Sequence, residues 1–184
     1  MNRRRSTRYG TLALLLAVAG CTATERGGLD GAGWKRESVL SGAEATLGQV
    51  SPASCRPLVE LLDRRAPEDE VTGFRHEKRG SYLLLREFTG TTAFPRRILD
   101  AARACPAMTM GYDSTTLSYT VTVVAQGERE TRLLLAAQES GTPLTEMLVS
   151  AVERNGRQSL IRVMRPEGIG DTERTGADLA VSTG

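Results

Sequence analysis

The sequence predicts an α+β fold, in which an antiparallel β-sheet has two helices packed on one face and one disulfide joins two of its elements. Apolar and polar residues alternate through much of the second half of the chain, and short turn sequences separate neighbouring runs. Two other segments have helical periodicity, and each carries a cysteine on its apolar stripe. The predicted folded domain spans residues 32–165.

A short extended segment around Trp34 opens this domain, and a helix over 51–63 follows it. The apolar residues of that helix recur at i, i+3, i+4 and i+7, which is the spacing of one helical face: Cys55, Leu58, Val59 and Leu62. A Ser-Pro pair at its start suits an N-cap followed by proline at the first helical position. Pro57 could instead move the start to Ser54 or kink the helix.

A hairpin and a second helix come next. The two strands, over 71–78 and 81–88, flank the turn sequence Arg79-Gly80. The second helix covers 92–105, where one face is shared by Phe94, Ile98, Ala101 or Ala102, and Cys105. Each predicted helix therefore carries its cysteine on the face that it buries.

Strands over 115–125, 132–138, 146–153 and 157–164 complete the predicted sheet. The first of them places Leu117, Tyr119, Val121 and Val123 on one face. Asn155-Gly156, between the last two strands, is the strongest short-range signal for a hairpin. A two-residue turn at that point pairs Leu148 with Val163, Ser150 with Ile161 and Val152 with Ser159.

Residues 1–20 have the build of an export signal. Four arginines precede an apolar run over 12–19, and that run is far shorter than the roughly 20 residues of a membrane-spanning helix. Val18-Ala19-Gly20-Cys21 resembles a bacterial lipobox, which implies cleavage before Cys21 and a diacylglycerol on its thiol. Two or more acyl chains anchor a protein stably, whereas one does so only marginally. The alternative is a plain signal peptide with a chance cysteine.

The predicted anchor determines the location and the charge of the mature chain. We expect the protein on the extracytoplasmic face of the cell membrane, held to the lipid bilayer through diacylglyceryl-Cys21. Residues 21–31 are expected to be a flexible tether and 166–184 a disordered tail. Removal of the four signal arginines reduces 24 basic residues to 20, against 22 acidic ones, for a formal charge of −2. The mature chain therefore lacks the basic footprint of a nucleic-acid partner.

Cys55 and Cys105 remain once Cys21 is set aside. Disulfides form in the compartment beyond the cytoplasmic membrane, and two thiols allow one intramolecular pairing. A Cys55–Cys105 bridge would also join the buried faces of the two helices. The alternative is two buried free thiols. A metal site is disfavoured because neither cysteine has a neighbouring Cys or His at ligand spacing.

The lipobox, Gly33-Trp34, Cys55 in PASC, Cys105 in ARAC and the paired strands up to Met164 together resemble a known family. They resemble the sensor-domain-like lipoproteins of actinobacteria, and they are similar to the extracellular domain of a mycobacterial receptor Ser/Thr kinase, the PknH-like family. The resemblance implies an antiparallel sheet crossed by helices, with a cleft for an unidentified small-molecule, lipid or protein ligand. It carries over no catalytic residues and no cofactor.

Candidate ligand residues are few. Trp34 and Tyr82 could line a cleft, although a single tryptophan more often belongs to a core. Arg96 and Arg97 could form an anion site at a helix N-terminus, or be a solvated helix end. His76, the only histidine, is expected to be solvated on an edge strand.

These observations favour a membrane-anchored, non-enzymatic lipoprotein with a ligand-binding or sensor-like domain. One alternative is a carrier of a lipid or other hydrophobic molecule, in a cavity between sheet and helices lined by Leu117, Tyr119, Val121, Leu133 and Leu135. Another is a hydrolase that uses His76.

Overall fold

The computed structural model of the chain describes residues 27–37, 49–63, 69–90, 93–112 and 115–183. The predicted signal peptide and Cys21 lie outside these residues. The described helices are α1 (Gly27–Gly31), α2 (Arg56–Asp63), α3 (Phe94–Arg103) and α4 (Asp171–Thr183). The strands are β1 (Trp34–Arg36), β2 (Val50–Ser51), β3 (Glu70–His76), β4 (Tyr82–Thr89), β5 (Ala107–Tyr112), β6 (Thr115–Gln126), β7 (Glu130–Glu139), β8 (Thr142–Arg154) and β9 (Arg157–Arg165).

These strands form one sheet in the order β1-β3-β4-β9-β8-β7-β6-β5-β2. All neighbouring pairs are antiparallel, which confirms the predicted class of sheet. The β8–β9 register is the predicted one, with Leu148 opposite Val163. Asn155 and Gly156 both have positive φ, at 50° and 77°, as a two-residue turn that follows the strand twist requires.

The sequence analysis missed two strands at one edge of the sheet. β5 lies between β6 and β2, and its sequence, AMTMGY, contains few of the β-branched and aromatic residues that favour strands. β2 has two residues and replaces the predicted helical start. A 3-10 turn over Ala53–Cys55 then leads into α2, which begins at Arg56. Pro57 fits there because an N–H in the first helical turn has no intrahelical partner.

One face of the sheet carries Met147, Val149 and Ala151 of β8, and we call it the disulfide face. Its core contains apolar residues of α2 and α3, including Leu58 and Ile98. The predicted Cys55–Cys105 pairing is confirmed, but the disulfide joins the 3-10 turn before α2 to the segment after α3, and neither cysteine lies in an α-helix as predicted. This face is therefore held by apolar packing and a covalent bridge.

The opposite face carries Leu148 and Val152 of β8, and we call it the tryptophan face. The helices α1 and α4 pack here, so four described helices divide between two clusters, where the sequence predicted two helices on one face. Trp34 at the centre of this cluster is fully buried.

Two boundary predictions are wrong. The tether predicted over 21–31 ends in α1, because Leu29 is fully buried in the tryptophan cluster. The disordered tail predicted over 166–184 contains α4, which packs on β4, β8 and β9. Its buried apolar residues, Ala177, Ala180 and Val181, are small, so the sequence shows only a weak apolar stripe. Residues 27–31 and 171–183 therefore belong to the folded unit.

A buried carboxylate joins α4 to the sheet. Glu173 is fully buried and accepts hydrogen bonds from Ser81 Oγ at 2.6 Å and from the Gly170 N–H at 3.0 Å. Arg79 Nε lies 3.3 Å from Oε1, the oxygen that accepts from Ser81, and Arg165 Nη1 lies 3.6 Å from Oε2. Burial alone would raise the pKa of Glu173, but these hydrogen bonds and the Arg79 charge outweigh burial and lower the pKa below its ordinary value.

Candidate ligand-binding strip

Two of the described helices, α2 and α3, pack on the disulfide face. α3 packs over β6, β7 and β8. The end of α2 reaches two arginines of that face: Arg86 Nη2 donates to the Leu61 carbonyl at 3.2 Å, and Arg162 Nη1 pairs with Asp63 at 2.9 Å. Both arginines meet the C-terminal end of α2, where cations are favoured by the helix dipole.

A row of side chains crosses the sheet at the level of Met164, which lies two residues after Arg162 on β9. Successive registers place Lys35 opposite Arg75, Arg75 opposite Tyr82, Tyr82 opposite Met164 and Met164 opposite Met147. Opposite residues of an antiparallel pair point to the same face, so these five side chains share the disulfide face. We call this row the open strip. Lys35 and Arg75 are exposed, whereas Tyr82, Met164 and Met147 are half-buried.

The open strip has a charged end and an apolar end. The Arg75 guanidinium lies over the Tyr82 ring, 5.5 Å from its centroid, in a cation–π arrangement. Met164 and Met147 continue the row with flexible, polarisable side chains that adapt to different ligand shapes. The sequence analysis found Tyr82 but missed the other four residues. The two methionines already lay on predicted strands, whereas the β1–β3 register that places Lys35 beside Arg75 left no sequence signal.

Trp34 does not lie in the open strip. It pairs with His76 across β1 and β3 and lies on the tryptophan face, where it is fully buried. An ideal Cβ on Gly176 would lie 2.7 Å from three atoms of the indole ring. Only a glycine at this position therefore lets α4 approach Trp34 this closely. The Trp34 Nε1 has no hydrogen-bond partner among the described residues. Trp34 and Tyr82 therefore point to opposite faces of the sheet.

Arg96 and Arg97 also lie away from the strip, as exposed residues of α3. Arg96 pairs with Asp100 at 3.4 Å. The N-terminus of α3 already faces a carboxylate, because the Ala93 N–H donates to Glu153 Oε2 at 3.1 Å. Glu153 belongs to the hairpin end of β8, whereas Tyr82 pairs near the other end of β9, roughly 20 Å away along the strands.

The expectation of a solvated His76 on an edge strand is wrong. This histidine is 8% exposed and lies on β3, which is the second strand of the sheet because β1 forms the edge. Its ring meets Trp34 edge-on at a centroid distance of 5.2 Å. Its Nδ1 accepts a hydrogen bond from the Lys78 N–H at 3.3 Å. Among the described residues, no serine hydroxyl or carboxylate hydrogen-bonds to His76, so the nucleophile–base contact of a hydrolase is not present there.

Four of the five residues proposed to line a carrier cavity lie in or against the packed core of the disulfide face. Leu133 and Leu135 are 0% and 2% exposed and belong to one cluster with Ile98 of α3. Tyr119 and Val121 belong to the same cluster. Leu117 is half-buried on β6. The sheet and α3 thus meet through these side chains.

Two further features bear on the kind of site. Within the described ranges, no three His, Cys, Asp or Glu residues are grouped so that they could hold a metal ion. No helix in the same ranges is long and apolar enough to cross a membrane.

Comparison with solved structures defines the class of fold. The extracellular domain of PknH from Mycobacterium tuberculosis is similar with a TM-score of 0.57 and 12% identity, over 87% of this chain and 89% of that one. The Mycobacterium smegmatis ortholog of Rv0999 has a TM-score of 0.45 and 11% identity, over 87% and 96% of the two chains. No family profile matches the sequence, and no curated protein matches it.

The protein therefore has the fold of the extracellular domain of PknH. At 12% identity the likeness establishes the fold alone, so the site has to be argued from this chain's own residues.

Proposed function

We propose that the protein is a membrane-anchored lipoprotein whose extracytoplasmic domain binds a ligand at the open strip without catalysing a reaction. The observation that carries the proposal is the strip itself. It combines an exposed cation pair, a half-buried aromatic ring and two half-buried methionines on one rigid face. Recognition sites typically combine an apolar surface with a few fixed polar groups.

The disulfide and the lipobox support an extracytoplasmic location. The Cys55–Cys105 bridge is typical of an oxidising compartment, and it is rare in the cytosol. The Val18-Ala19-Gly20-Cys21 sequence supplies a lipidation signal six residues before α1 begins at Gly27. Both features fit a domain displayed at the outer surface of the membrane.

The chemistry of the strip favours binding over catalysis. Tyr82 contacts the Arg75 guanidinium, and Arg162 in the next row contacts Asp63, so the groups around the strip position charge and apolar surface. The open strip contains no carboxylate, histidine, cysteine or serine, and its lysine and tyrosine have no acid–base partner such as a carboxylate or histidine within the strip.

Replacement of Cys21 with serine tests the anchor. The mutant protein should leave the membrane fraction and accumulate unlipidated, while the wild-type protein stays in that fraction. A Cys21→Ser protein that is retained in the membrane as completely as the wild type would contradict the lipoprotein assignment.

Native mass spectrometry of the gently purified protein tests ligand binding. We expect a bound mass that Tyr82→Ala reduces and that Thr120→Ala leaves unchanged. Thr120 is a suitable control because it is exposed on the other face of β6. A bound mass that both variants retain equally would place the ligand elsewhere and contradict the proposed site.

A further inference from the structure

We infer that the open strip binds the headgroup of an anionic phospholipid at the surface of the membrane to which the protein is attached. The inference deepens the function proposed above and rests on it, because it names the class of ligand for the same strip.

Among the described residues, no carboxylate serves as a counter-ion for the charged end of the strip. Lys35 and Arg75 are directly opposite each other in the β1–β3 pair, and like charges at such positions are destabilising. Neither side chain forms an ion pair with a described carboxylate. Glu37 follows β1 and donates its N–H to the Gly73 carbonyl, yet it pairs with neither cation. An anion seated between Lys35 and Arg75 would relieve their repulsion.

The apolar end of the strip favours an amphiphile over a small anion. Free phosphate would use only Lys35 and Arg75. A phospholipid would place its phosphate there and its glycerol and upper acyl carbons over Tyr82, Met164 and Met147. The aromatic ring suits this boundary, because tyrosine is enriched where an apolar phase meets water.

The position of the predicted anchor favours a lipid in the bilayer over a soluble molecule. Five residues separate Cys21 from Gly27, and the six Cα–Cα steps between them span at most about 20 Å when fully extended. α1 contacts β1 and leads directly into it, so the segment carrying Lys35 follows closely after the membrane-proximal start of the domain. Basic residues near an anionic membrane surface are attracted to its headgroups.

The test uses the full lipidated protein attached to lipid nanodiscs, with its methionine methyl groups labelled for NMR. One set of nanodiscs contains phosphatidylcholine alone, and the other contains phosphatidylcholine with one quarter phosphatidylglycerol. We expect phosphatidylglycerol to shift the Met164 and Met147 signals. Met108 and Met110, buried on β5, should keep their shifts and serve as internal references.

Two double variants distinguish binding at the open strip from an effect of the net charge of the protein. Lys35→Gln with Arg75→Gln should abolish the phosphatidylglycerol-dependent shift of Met164. Arg96→Gln with Arg97→Gln removes the same charge from an exposed part of α3 and should leave the shift unchanged. Equal loss in both pairs would reduce the effect to net charge and overturn the inference.

The remaining outcomes distinguish this inference from the function that it rests on. The anionic-lipid inference would be overturned if the Met164 and Met147 signals had the same positions in both kinds of nanodisc. It would also be overturned if inorganic phosphate, added to the phosphatidylcholine nanodiscs, shifted these signals as much as phosphatidylglycerol does. If phosphatidylglycerol does not shift the Met164 signal while the purified protein still carries a bound mass that depends on Tyr82, the proposed lipid class is wrong and the ligand-binding function stands. If neither the Met164 shift nor the Tyr82-dependent bound mass is observed, the lipid inference and the proposed function both fail.

Discussion

The two faces of the sheet are stabilised in different ways. On the disulfide face, the helices α2 and α3 are packed by large apolar side chains and closed by the Cys55–Cys105 bridge. On the tryptophan face, α4 packs through small residues against Trp34 and through the buried carboxylate of Glu173. The first arrangement depends on covalent and apolar terms. The second depends on close approach and on complete pairing of a buried charge.

This difference bears on where a ligand can bind. The tryptophan cluster contains Trp34 and leaves it no exposed surface. On the disulfide face, α3 packs over β6 to β8, whereas Lys35 and Arg75 of the open strip are exposed. A rigid, covalently tied neighbour keeps such a surface pre-organised, which lowers the entropy lost on binding.

The largest expected effect comes from removal of the disulfide. Closure of the 50-residue separation between Cys55 and Cys105 stabilises the fold by about 4 kcal/mol in the chain-entropy estimate. A Cys55→Ala, Cys105→Ala double variant should lose about that much free energy of unfolding in urea. Amide exchange should accelerate first in α2 and α3. If removal of the disulfide accelerated amide exchange more in α4 than in α3, the division between the two faces would be contradicted.

A methyl group on Gly176 should have the next largest effect. The new Cβ would lie 2.7 Å from the Trp34 ring, so α4 or the indole has to move. Overpacking of this kind costs about 2 kcal/mol, more than the gain in helix propensity from glycine to alanine. We expect Gly176→Ala to lower the urea midpoint. Gly31→Ala is the matched control, because a Cβ there meets open space; an equal loss in that variant would contradict the packing argument.

Neutralisation of Glu173 should be somewhat milder and should depend on pH. Glu173→Gln weakens hydrogen bonds to a charged group, worth about 1.5 kcal/mol at neutral pH. The folded state lowers the pKa of this carboxyl, so its contribution is complete above the unfolded value of about 4.3. That contribution is lost as the pH falls through the lower folded pKa.

The wild-type protein should therefore lose stability in acid more steeply than Glu173→Gln, and the two unfolding curves should converge at low pH. The measurement is the free energy of unfolding from pH 7 down to the acid limit of the fold. A constant difference between the two proteins over that range would show that the carboxylate charge of Glu173 does not stabilise α4.

The smallest expected effect is on the surface of α3. Arg96 and Asp100 form an i,i+4 pair with side chains 68% and 58% exposed. Exposed pairs of this kind contribute about 0.3 kcal/mol. Arg96→Ala should leave the urea midpoint within error of wild type, and a loss comparable to that of Gly176→Ala would require a role that the described contacts do not give it.

Much of the disulfide face could be predicted from the sequence. Its large apolar residues recur at helical or alternating spacing, as in Leu58 and Ile98, and the Asn155-Gly156 turn fixes a register that the structure confirms. The cysteine pairing follows from the count once Cys21 is set aside. These signals are local or combinatorial, so a single sequence contains them.

The tryptophan face could not be predicted in the same way. α4 buries alanine and valine and one glutamate, and a stripe of small residues with a charge in it does not differ from a polar tail by hydropathy. Its helix depends on tertiary contacts, chiefly Gly176 with Trp34 and Glu173 with Ser81. The open strip was missed for a similar reason, because Lys35 joins it through pairing of a three-residue strand with β3.

Photo-crosslinking in intact cells tests most directly the claim that the open strip is the ligand surface. A photoreactive phenylalanine analogue would replace Tyr82 in one protein and Thr120, exposed on the opposite face of the sheet, in another. We expect irradiation to attach an amphiphilic anion to the protein carrying the analogue at position 82, and mass spectrometry to find little adduct at position 120. Equal labelling at the two positions, or no labelling at position 82, would contradict the claim.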